Sequence, residues 1–139
     1  MSDENLQALI AYRLEQAQEA LKESGVLLKE NAHRGAINRA YYAMFYALQA
    51  LLVSRSLKTS KHSGAISLFD RDFVKQGQFR KGLSKSLHEV FDLRQDADYG
   101  EAVHPTGEQS RQALKDAQTF VAEVTEFLNS PGLASVGAE

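Results

Sequence analysis

The stretch Asn38–Val53, NRAYYAMFYALQALLV, constrains the fold more than any other part of the chain. At about 100° per residue, Ile37, Tyr41, Met44, Leu48, Leu51 and Leu52 share one helical face. Ala36, Ala40, Ala43, Ala47 and Ala50 form a thin second face that lets another backbone come close. Asn38, Tyr42, Phe45, Tyr46, Gln49 and Val53 make a third, aromatic and amide-bearing. A surface helix carries one apolar stripe; a helix apolar nearly all round is buried. This helix is therefore expected at the centre of a bundle, or between a bundle and a partner. Arg39 and Arg55 bracket an apolar run shorter than the roughly 20 residues a bilayer requires, so no membrane span is expected.

The flanking segments supply the rest of such a bundle. Ser2 is placed to cap a first helix over about 4–30, with Asp3 and Glu4 where the helix dipole favours acids. Leu6, Leu9, Ile10, Leu14, Ala17, Leu21, Leu27 and Leu28 recur at helical spacing. They stay in phase across Ser24-Gly25, so the glycine is read as lying inside one helix. The central helix runs from His33 to about Arg55. A polar connection, Ser56–Lys61, leads to a shorter third helix over about 61–75, with Ala65, Ile66, Phe69 and Phe73 inward and Gly77 after its end. A fourth helix spans about Phe79–Ala97 with Leu83, Leu87, Val90 and Phe91 as its stripe. A loop with His104-Pro105 follows. Thr106 then caps the last helix, with Gln109 three residues on as in a capping box. Ala113, Leu114, Ala117, Phe120, Val121, Val124, Phe127 and Leu128 form the cleanest stripe of all.

No alternation of strand type occurs. The expectation is an all-α, up-down antiparallel bundle of four long helices and one short one. A single domain should occupy residues 1–130, with a disordered tail over 131–139. A chain of 139 residues can bury a core without staples, and this one has no cysteine. That composition suits a reducing cytoplasm, and MSDENLQAL lacks the basic start and apolar run of a signal peptide. The net charge of −2 argues against coating nucleic acid by bulk electrostatics, though not against a local basic site.

Several polar groups stand out. On the wheel of the fourth helix Arg94 falls within about 20° of Leu83 and Asp98 within about 60°, so this pair continues the apolar face. An i,i+4 salt bridge is one reading; a cleft or interface is the other. Asn38, Tyr41 and Tyr42 read as core or interface groups, and His62 as a helix-start residue. His88 and Asp92, also at i,i+4 spacing, are a weak acid–base or metal pair with no third ligand, so no metal or cofactor is expected. Lys58, Lys61, Arg71, Lys75, Arg80, Lys81 and Lys85 make the third-to-fourth helix region basic, either as a solvated face or as a phosphate patch.

Taken together, AINRAYYAMFYALQALL (Ala36–Leu52), KHSG (Lys61–Gly64), FVKQG (Phe73–Gly77) and LRQDADYG (Leu93–Gly100) resemble the HEPN domain, higher eukaryotes and prokaryotes nucleotide-binding, in a stand-alone prokaryotic branch. The resemblance covers about 4–129. It implies a helical bundle that forms homodimers and works beside a minimal nucleotidyltransferase, in some cases as a toxin–antitoxin pair. It also implies a motif of Arg, four to six residues, then His, supporting metal-independent RNA cleavage at the dimer interface. Arg94 matches the arginine. Tyr99, Gly100 and Glu101 occupy the positions open to the histidine, and His104 is too far along. A cleaving site needs a group titrating near 7, and tyrosine at about 10 is a poor substitute. The expectation is therefore a nucleotide-, RNA- or partner-binding module centred on Arg94, Asp98, Tyr99, Asn38 and Tyr42. The alternative is a ribonuclease toxin with a variant site at Arg94, Asp98 and Tyr99.

Overall fold

The computed structural model describes residues 2–59, 61–100 and 104–130. Among these there is no strand. The elements are α1 (Asp3–Lys29), α2 (His33–Ser54), α3 (His62–Phe69), a π-helical turn (Asp70–Val74), α4 (Lys81–Tyr99) and α5 (Gly107–Leu128). The first and last helices start at side-chain caps. The Ser2 side chain accepts from the Asn5 N–H, with Asp3 and Glu4 in the first turn of α1. Thr106 and Gln109 form a reciprocal capping box at α5. That box satisfies two backbone donors that a helix start leaves open.

The α1 helix passes unbroken through Gly25. Beside it Ser24 is fully buried and donates its hydroxyl to the Ala36 carbonyl at 2.7 Å, tying α1 to the start of α2. The α1–α2 turn closes through Asn31, whose φ is 58°, in the left-handed region that asparagine tolerates better than most residues.

The central helix is α2, packed against α1, α3, α4 and α5. Its first two faces are buried to the last residue: Ile37, Tyr41, Met44, Leu48, Leu51 and Leu52, and the alanines 36, 40, 43, 47 and 50. The alanine face is where small side chains permit close helix approach. On the third face only Phe45 is buried, while Asn38, Tyr42, Tyr46, Gln49 and Val53 are half-exposed. One side of the central helix thus remains only half-covered in the single chain. Consecutive long helices run antiparallel, as expected. The start of α5 meets the start of α2, where His33 Nδ1 lies 3.0 Å from Ser110 Oγ. The start of α4 meets the end of α5 through Arg80 and Glu123.

The third helix departs from expectation. The sequence suggests a continuous α-helix over about 61–75, but the α-helical part ends at Phe69 and a π-turn follows. The wider turn keeps Phe73 in the core beside Phe69, their ring centroids 6.2 Å apart, with Phe79 completing the cluster. Aromatic packing sets this register, and helix periodicity does not record it. The fourth helix begins and ends two residues later than its stripe suggested. The expected tail, 131–139, lies outside the described residues.

Candidate functional site

The polar groups that matter lie where the end of α4 crosses the first half of α2. On α4 Leu83, Leu87 and Val90 are buried, and the same face carries Arg94 one turn further on. Its side chain is 13 % exposed, low for an arginine, so its charge must be met locally. Asp98 meets it: Arg94 Nε is 3.1 Å from Asp98 Oδ2, an ion pair lacking the alignment of a hydrogen bond. Arg94 Nη2 reaches Tyr42 Oη at 3.5 Å. The guanidinium carbon lies 5.3 Å from the Tyr41 ring centroid and 5.4 Å from that of Tyr42, within cation–π range of both. Asn38 Nδ2 donates to Asp98 Oδ2 at 3.4 Å, closing the ring of contacts from α2 back to α4.

Four of the five residues expected at the site are therefore together: Arg94, Asp98, Asn38 and Tyr42. Tyr99 is not with them. It stands 74 % exposed at the last position of α4, outside the contacts that join the other four. A hundred degrees of helix separates it from Asp98, which turns it away from α2.

His62 joins this cluster, although the sequence suggested only a helix-start role for it. Its Nδ1 lies 2.9 Å from Tyr41 Oη. The imidazole stacks on Phe45 with centroids 4.0 Å apart and lies 5.5 Å from the Tyr41 ring and 5.6 Å from that of Tyr42. Burial lowers its pKa from the usual 6.5, and the positive charge of Arg94 lowers it further. Burial likewise raises the Tyr41 pKa, against a smaller opposing pull from Arg94, so this hydroxyl keeps its proton. The only sequence sign of the arrangement is the KHSG block. Nothing in its spacing says that the Ser56–Lys61 connection returns it to the middle of α2.

The other candidates resolve differently. His88 pairs with Asp70 rather than with Asp92: its Nε2 is 2.7 Å from Asp70 Oδ2. The other oxygen of Asp70 accepts from Ser84 at 2.5 Å. Among the described residues no group of three His, Cys, Asp or Glu could hold a metal ion. Three of the seven basic residues of that region are paired in place, Arg71 with Asp72, Arg80 with Glu123 and Lys85 with Glu89. Those pairs favour the solvated-face reading. No described helix is long and apolar enough to cross a membrane.

The HEPN domain family matches residues 10–127, which takes in all of this geometry. The chain belongs to the HEPN domain family. Similar proteins extend over nearly the same length. A Thermotoga maritima protein named "UPF0332 protein" is 37 % identical over 86 % of this chain and 91 % of its own. The Methanocaldococcus jannaschii protein named "Putative toxin MJ0605" is 34 % identical over 90 % of each. A second UPF0332 protein, from Gloeobacter violaceus, is 30 % identical over 83 % of this chain and 86 % of its own. In this HEPN chain the arginine expected at the end of α4 is present, and the His62 imidazole of α3 shares the Tyr41 and Tyr42 rings with it.

Proposed function

We propose that this HEPN chain is a nucleotide- or RNA-binding module of a toxin–antitoxin-like pair. In this reading it acts as a homodimer with a minimal nucleotidyltransferase as protein partner. The observation that carries the proposal is Arg94: a guanidinium 13 % exposed, backed by two tyrosine rings and held by one carboxylate at the margin of an open helix face. A guanidinium so held offers a fixed fork of donors to phosphate, at lower ordering cost than a free side chain. Asp98 keeps the charge tolerable while the site is empty, and Asn38 holds Asp98. Tyr42, half-exposed beside them, supplies a ring on which a base can stack.

The half-exposed strip Tyr42, Tyr46, Gln49 and Val53 supports the dimer. A two-fold contact along α2, including the Arg94–Tyr99 end of α4, would cover it and set two Arg94 sites near one another. The name of the M. jannaschii relative supports the toxin-like part of the reading. A neighbouring open reading frame encoding a short nucleotidyltransferase with paired active-site aspartates would support the partner.

The test is binding by variants. Arg94→Lys should weaken binding of a short oligoribonucleotide, a mononucleotide or the partner while leaving the circular dichroism melt intact. Asp98→Asn should weaken it less. Unchanged binding to all three probes in both variants would reduce the pair to a salt bridge. The second reading, RNA cleavage at the same place, requires an imidazole that the end of α4 beyond Arg94 does not carry, and the His88 of α4 is held by Asp70.

A further inference from the structure

We infer that the groove between the start of α1 and the end of α2 binds an aliphatic carboxylate, a medium-chain fatty acid. The groove shares no residue with the Arg94 site and stands whether or not that site takes a nucleotide. Its walls are Leu6 and Leu9 from α1, Leu52 and Val53 from α2, and Leu57 just beyond α2. The space they border is about 400 Å³. That lies within the roughly 300–1,000 Å³ usual for small-molecule sites.

The end of α2 builds one wall. Ser56 has a φ of 57°, the left-handed conformation that closes a helix and that glycine usually fills. The Ser56 N–H donates to the Val53 carbonyl at 2.9 Å, and the Leu57 N–H to that of Leu52 at 2.8 Å. This closure turns Leu57 back toward Leu52, so both come to border the same groove.

The chemistry of the occupant follows from what the lining holds and what it omits. Among the described residues that line the groove there is no aromatic ring on which a flat ligand would stack, and no acid. The charged groups are Arg13 and Lys58, and among the described residues neither has an ion-pair partner. Arg13 Nη1 donates to Gln16 Oε1 at 2.8 Å, but Arg13 Nε is buried with no hydrogen-bond partner. A buried donor left unpaired costs more than an ordinary hydrogen bond returns, so this arginine is short of an acceptor. A saturated chain against the aliphatic walls, with its carboxylate on Arg13 and Lys58, meets both halves of the lining. A second copy is the competing occupant, because Gln49 and Val53 of the half-exposed strip also border the groove. Groove against groove about a two-fold axis would set Arg13 and Lys58 against their own counterparts, like charge on like charge.

The experiment titrates the full chain, its leucine and valine methyls labelled with carbon-13 for NMR, with octanoate, decanoate and 1-octanol. Octanoate and decanoate should bind saturably, with shifts confined to the methyls of Leu6, Leu9, Leu52, Val53 and Leu57. Each added methylene should tighten binding by up to about fourfold. The alcohol, a chain of the same length without the charge, should bind about tenfold more weakly than octanoate. Arg13→Gln should weaken decanoate about tenfold and leave 1-octanol unchanged. Should Arg13→Gln not fold, Lys58→Gln with the same ligands takes its place. No saturable binding of decanoate, equal affinity for octanoate and 1-octanol, decanoate binding indifferent to the loss of charge, or shifts centred outside the groove would each overturn the assignment. So would groove methyls that shift with protein concentration alone and resist decanoate, the signature of a second copy in that place. None of these outcomes involves an oligoribonucleotide, so failure here leaves the Arg94 site untouched.

Discussion

Leu48→Ala tests the placement of the central helix most directly. Leu48 sits at the middle of α2 with none of its surface exposed. The substitution removes about three carbon groups from a buried side chain, worth about 2.4 kcal/mol at roughly 0.8 kcal/mol each. The neighbours are helices fixed on several sides, α1, α4 and α5 among them, so collapse into the void is limited. Each 50 Å³ left unfilled adds about 1.2 kcal/mol. The expected loss is therefore about 3.5 kcal/mol. Over 139 residues an unfolding entropy of about 2.1 cal/mol/K each makes this about 12 °C in Tm. Urea and thermal denaturation by circular dichroism, at one fixed protein concentration, measure it. Gln118→Ala on the exposed side of α5 is the control and should stay within about 0.5 kcal/mol. Equal urea midpoints for wild type and Leu48→Ala would refute the placement of α2 at the centre of the bundle.

Three further outcomes follow from other parts of the structure. Thr106→Ala opens the capping box of α5 and should cost about 1 kcal/mol, read as a lower urea midpoint with an unchanged slope. The lowered pKa of His62 means that the unfolded chain takes up its proton first as pH falls. Its contribution to stability is intact above about 6.5 and declines below that as pH falls through the lowered folded value; His62→Asn should flatten this part of the stability–pH curve. Tyr46→Glu places a charge on the open strip of α2, so light scattering at micromolar concentration should show a dimer for the wild type and a 15.4 kDa species for the variant, and a monomeric wild type would refute the proposed dimer.

The helices and their faces were legible in the sequence because each depends on residues three or four apart. The all-round apolarity of Asn38–Val53 determined that α2 had to be central, and its two fully buried faces follow the wheel residue by residue. The capping box at Thr106 and the inward phase of Arg94 and Asp98 are of the same kind. The π-turn after Phe69 was not legible, because it answers to aromatic partners brought in by the turn and by Phe79.

The candidate site divides along the same line. Arg94 and Asp98 are a local pair, and their spacing alone announced it. Asn38 meets Asp98 across 60 residues, Tyr42 meets Arg94 across 52, and His62 meets Tyr41 across 21 and a loop. Those contacts depend on how α2, α3 and α4 cross, which no periodicity encodes. The pairing of His88 makes the point in reverse: Asp92 stands at the right helical spacing, yet Asp70 takes the imidazole because the chain before α4 folds back against it. The sequence thus determined the elements, the buried helix and the presence of an arginine at its margin. Only the tertiary structure decided which imidazole shares the Tyr41 and Tyr42 rings with that arginine, since contacts of long sequence separation arise from packing the helices together and not from forming them.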